Sequence, residues 1–68
     1  MQSIGERIRQ IRLSKGMTQT DLATRLNTTK ATISRYESSR RDFGIEHAQK
    51  IAEALDVPIQ ALVGPPDG

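Results

Sequence analysis

The stretch TQTDLATRLNTTKATISRYE, residues 18–37, decides the fold. Leu22, Ala23 and Leu26 are spaced i, i+1, i+4, and Ile33 and Tyr36 are spaced i, i+3. Each group makes one apolar stripe on a helix. Between them, Leu26-Asn27-Thr28-Thr29 is too polar and too rich in capping residues to continue a buried helix. The pattern predicts one helix over about Gln19–Leu26, a tight turn, and a second over about Lys30–Glu37. Where two helices cross closely one side chain must be small, and Ala23 fits that role. The turn needs a residue at positive φ, and Asn27 is the best non-glycine choice. Ile33 then wedges the second helix against the first. Thr18 and Thr29 can cap the two helices through their hydroxyls. Thr18-x-x-Asp21 reads as a capping-box start, with Asp where Glu or Gln is typical.

Working outward, an earlier helix runs from about Gln2 or Ile4 to Lys15. Ser3-x-x-Glu6 is its capping box, Gly16 its stop, and Ile4, Ile8 and Ile11 its buried stripe. A later helix spans about Ile45–Leu55, with Ile45, Ala48, Ile51, Ala52 and Leu55 inward. Pro58 opens a last short helix at about Ile59–Val63. Gly64-Pro65-Pro66-Asp67-Gly68 reads as a flexible tail or the start of a linker. The expected fold is all-α: five short helices in one domain, residues 1–63, followed by the segment 64–68.

At 68 residues the chain sits near the lower limit for an independent core. It has no Cys, hence neither a disulfide nor a thiolate metal site. No apolar run approaches the ~18 residues needed to cross a membrane, and the first residues do not resemble a signal peptide, so the expected location is cytoplasmic. The net charge is only +2, but it is unevenly distributed. Residues 1–41 hold nine Lys and Arg against three acids, and residues 42–68 hold one against five. A basic half and an acidic half suit a protein that turns one side to a polyanion.

Two helices around a tight turn, the second opening on polar and basic side chains, have the layout of a helix-turn-helix, whose second helix enters the DNA major groove. The segments IGERIRQIRLSKGMTQTDLATRL, TTKATISRYE and IEHAQKIAEALDV together resemble the phage repressor/Cro, or XRE-like, helix-turn-helix family over residues 3–63. The resemblance implies a lambda-repressor-like DNA-binding domain. Two positions depart from the family pattern: Asn27 stands where Gly is usual, and Ser39 where Gly is frequent.

Base-reading side chains should come from the start of the recognition helix. By family position these are Lys30, Ala31, Thr32 and Arg35. Lys30 and Arg35 can donate to guanine O6 and N7, while Ala31 and the Thr32 methyl can meet a thymine methyl. Expected phosphate contacts are Arg12, Thr18, Gln19, Thr29, Ser38, Arg40 and Arg41, from helix N-termini and basic segments. The resemblance also implies that Gln19 braces the recognition helix and that Arg12 and Glu37 form a partly buried ion pair. Ile33 and Tyr36 should be core, with the Tyr36 hydroxyl turned to solvent or DNA. His47 has no companion His or Cys and is not expected to bind metal. No nucleophile–base constellation suggests an enzyme, and no cofactor is implied.

The expected function is a sequence-specific regulator of transcription, a dimeric repressor on a pseudo-palindromic double-stranded DNA operator. Ile59, Leu62 and Val63 form the expected homodimer surface. Two other readings stand beside it. One is an antitoxin or bridging module whose main partner is another protein. The other is the DNA-binding end of a longer repressor.

Overall fold

The structure, a computed structural model, describes residues 3–38 and 44–63. Its helices are α1 (Ile4–Ser14), α2 (Gln19–Arg25), α3 (Lys30–Ser38), α4 (Ile45–Leu55) and α5 (Gln60–Val63). The five helices and the absence of strands among the described residues are as the sequence predicts, with helix ends shifted by a residue or so.

Local chemistry accounts for where the helices begin. The Ser3 hydroxyl accepts the Glu6 backbone N–H, satisfying a donor the first turn cannot. At α2 the box closes both ways: Thr18 Oγ1 accepts from the Asp21 N–H at 3.0 Å, and Asp21 Oδ2 accepts from the Thr18 N–H at 2.9 Å. Thr29 caps α3 through the Thr32 N–H at 3.3 Å.

Three helices end in the same way. Gly16, Asn27 and Asp56 adopt φ of 68°, 57° and 59°. Each lets the next residue's N–H reach back to a carbonyl of the last turn: Met17 to Arg12, Thr28 to Ala23, and Val57 to Ala52. This is the Schellman closure, which satisfies carbonyls that would otherwise face no donor. Asp56 in the left-handed region was not anticipated. Its short polar side chain makes it one of the few residues that tolerates that conformation.

The core is built from Ile4, Ile8, Met17, Leu22, Ala23, Ile33, Ala48, Ile51, Ala52, Leu55 and Leu62. Removing each large aliphatic side chain from water contributes about 1.5–3 kcal/mol, so no member of so small a set is dispensable. The helix α3 packs on α1 and α2, and α5 packs on α1 and α4. Ala23 and Ile33 are both buried where α2 meets α3. From the end of α2, Arg25 Nη1 donates to the Ala54 carbonyl at 3.0 Å, so a cation meets the negative end of α4.

Two expectations are corrected. Ile11 is only half-buried, and the inward position beside it is taken by Arg12. Leu62, expected on the dimer surface, is fully buried. Because α5 lies against α1 and α4, Leu62 fills the core and has no surface to offer a second copy. The Tyr36 hydroxyl makes an exposed hydrogen bond with His47 Nε2 at 2.7 Å. The ring faces meet edge-on with centroids 5.3 Å apart, which ties α3 to α4. The side chain of Ile45, and residues 64–68, lie outside the described part.

Candidate nucleic-acid interface

Successive residues of a helix turn by about 100°. Counted from the inward Ile33, the residues Lys30, Ala31, Ser34, Arg35 and Ser38 therefore share the outward arc of α3, and all are exposed. Thr32 falls at the far edge of this arc beside Tyr36 and is half-buried. Its hydroxyl shares a 3.0 Å hydrogen bond with that of Thr29. Of the expected base readers, Lys30, Ala31 and Arg35 thus lie together, while Thr32 is partly occupied with capping. Neither Lys30 nor Arg35 is paired with a carboxylate among the described residues.

The opposite flank of α3 is held by a buried polar clamp. Arg12 Nε donates to Glu37 Oε2 at 2.6 Å, and Nη2 to Glu37 Oε1 at 3.1 Å. Arg12 Nη1 donates to the Met17 carbonyl at 2.8 Å. Gln19 Nε2 donates to Glu37 Oε1 at 3.1 Å. Arg12 and Glu37 are 7% and 9% exposed, so this is a desolvated fork-to-fork pair with its lone pairs engaged. It joins α1, the α1–α2 connection, the start of α2 and the end of α3 at one point. The end of α3 is thereby tied to both α1 and α2.

Gly5 makes this junction possible. A Cβ there would meet the Tyr36 carbonyl oxygen and would lie 2.9 Å from that of Glu37. No side chain fits, so α1 approaches the end of α3 backbone to backbone. The signal in the sequence was a glycine inside a helix, which costs about 1 kcal/mol of propensity without a compensating reason.

Thr18 and Asp21 are exposed at the start of α2, and hydrogen bonds from Thr18, first through its backbone N–H and then through its side chain, hold the Asp21 carboxyl below the usual range. Ser38 is exposed at the end of α3, with its hydroxyl donating to the Ser34 carbonyl. Arg12 is committed to Glu37 and Met17, although each terminal nitrogen keeps a further hydrogen. Arg40 and Arg41 lie outside the described residues. On the far end, Ile59 is half-buried and Val63 is exposed. Among the described residues no helix is long and apolar enough to cross a membrane, and no group of His, Cys, Asp and Glu could hold a metal ion.

A helix-turn-helix family model matches residues 8–62. Among solved structures, the chain is similar to the restriction-modification controller protein C.AhdI from Aeromonas hydrophila. The identity is 29%, over 87% of this chain and 86% of that one, with a TM-score of 0.76. It is similar to a hypothetical transcription factor, NHTF from Neisseria, at 28% identity over 93% of this chain and 72% of that one, with a TM-score of 0.79. The restriction-modification controller protein C.Esp1396I is similar at 31% identity over 94% of this chain and 91% of that one, with a TM-score of 0.71. No curated protein matches the chain.

Proposed function

We propose that this chain, which belongs to the phage repressor/Cro (XRE-like) helix-turn-helix family and is a DNA-binding regulator of transcription, binds a pseudo-palindromic operator as a homodimer and represses from it. The observation that carries this reading is the outward arc of α3. Lys30 and Arg35 stand there without acidic partners among the described residues, on a helix held from behind by the Arg12–Glu37–Gln19 clamp. Side chains presented on a rigid element read base edges, because each bond is gained without reordering the protein.

A single domain of this size touches few base pairs. Useful specificity therefore calls for two copies, with recognition helices about 34 Å apart along the duplex. The exposed Val63 on α5 and the half-buried Ile59 just before it supply the apolar surface for that pairing, with Leu62 behind them. The likeness to two restriction-modification controllers supports a role in controlling such a system. The work of the chain is binding to double-stranded DNA, without cofactor or catalysis, in the cytoplasm.

Selection from a random double-stranded pool tests the reading. A palindromic consensus with strong discrimination is the expected result. Enrichment of a lone half-site would remove the dimer. Weak, salt-sensitive binding without enrichment would remove the sequence-specific regulator altogether.

A further inference from the structure

We infer that a shallow notch at the junction of α1, α2 and α3 seats a backbone phosphate of the bound DNA, and that Arg9 is the cation that holds it. The inference rests on the DNA-binding reading above. The notch is lined by Arg9, Arg12, Gln19, Ser34, Glu37 and Ser38. Arg9 lies one helical turn before Arg12 on the same flank of α1, and it is exposed. It was absent from the phosphate contacts expected from the sequence.

Charge decides what the notch accepts. The Glu37 carboxylate at its floor is already answered by Arg12 and Gln19. Arg9 has no carboxylate partner among the described residues. An arriving anion therefore meets one uncompensated guanidinium, the Ser34 hydroxyl, and the remaining hydrogens on the Arg12 terminal nitrogens. Guanidinium groups suit phosphate because their planar donors match its oxygens.

Position says which anion arrives. Ser34 and Ser38 line the notch and also belong to the outward arc of α3, beside Lys30, Ala31 and Arg35. If that arc lies in the major groove, the notch opens where the sugar–phosphate chain borders the groove. Contacts at that border set register and carry no base information.

The test is equilibrium binding of the wild-type chain, Arg9→Gln and Arg9→Lys to the selected operator and to an unrelated duplex, over a range of salt. Loss of one phosphate contact per protomer, two per bound dimer, should weaken binding about thirtyfold near 0.15 M salt and lower the slope of log K against log salt by about two. The loss should be alike on both duplexes, and Arg9→Lys should recover most of it. The thermal midpoint of Arg9→Gln should equal that of the wild type, since Arg9 is exposed and has no carboxylate partner among the described residues. Wild-type affinity and slope in Arg9→Gln would overturn the notch alone. So would a loss confined to the operator with altered base preference. A wild-type chain that binds neither duplex would overturn the DNA-binding reading and the notch with it.

Discussion

Arg12 and Glu37, twenty-five positions apart, meet at 2.6 Å in the interior, where neither side chain is more than 9% exposed. An ion pair so placed contributes little net stability compared with an apolar pair, because both charges lose their water. Breaking it from one side is another matter.

Glu37→Gln should therefore destabilise the domain by about 3–5 kcal/mol, since the Arg12 charge stays buried without its counter-charge. Replacing both partners with leucine should be far milder than that single change. Urea denaturation of the two variants beside the wild type measures both effects. An unchanged midpoint in Glu37→Gln would remove the clamp from the account of how α3 is held.

Gly5→Ala should lower stability by about 1–3 kcal/mol, the usual cost of overpacking. Alanine is the better helix former by about 1 kcal/mol, so on propensity alone the sign would be the reverse. The backbone oxygens of Tyr36 and Glu37 cannot rotate away as a side chain would. A thermal melt gives the sign directly.

Asn27 sits at φ 57° with its side chain exposed. Asn27→Ala should cost about 1 kcal/mol, because Cβ crowds the carbonyl in the left-handed region and alanine has no polar group to offset it. Asn27→Gly should cost nothing or stabilise slightly. Equal losses in both would mean that the amide, and not the backbone angle, matters at the turn.

The Asp21 carboxyl is held below its ordinary range, first by its hydrogen bond with the Thr18 backbone and then by that with the Thr18 side chain. A depressed folded-state pKa means that the cap stabilises the fold above the ordinary carboxylate range and is lost as pH falls through the folded value. Wild type should thus be more stable than Asp21→Asn at neutral pH, and the gap should close in acid. Denaturation series from neutral to acid pH read the gap, and a constant difference would contradict this account of the cap.

Lys30→Ala should cost about 1–3 kcal/mol on the selected operator and relax preference at one base position. Binding to the pool with single substitutions at each position resolves which base is affected. Equal weakening on every sequence would make Lys30 a phosphate contact.

Much of this protein could be read from residues near one another in the chain. Helix periods, the caps at Ser3, Thr18 and Thr29, and the left-handed turns at Gly16 and Asn27 all follow from interactions spanning a few positions. Those interactions exist whatever the rest of the chain does. Lys30, Ala31 and Arg35 were named by family position, and the helical turn places them together on the outward arc of α3. The Arg12–Glu37 pair was suggested by family resemblance and not by spacing, because nothing local marks two charges so far apart as neighbours.

Other features were decided only when helices met. Arg12 is buried beside a half-buried Ile11 because its guanidinium meets the Glu37 carboxylate of α3. Leu62 turned inward because α5 lies across α1 and α4. The Tyr36 hydroxyl found His47 because α4 packs beside α3. Gly5 looked like a weak point until the end of α3 was seen against it. In each case the governing distance is between residues far apart in the chain, and only tertiary packing sets it.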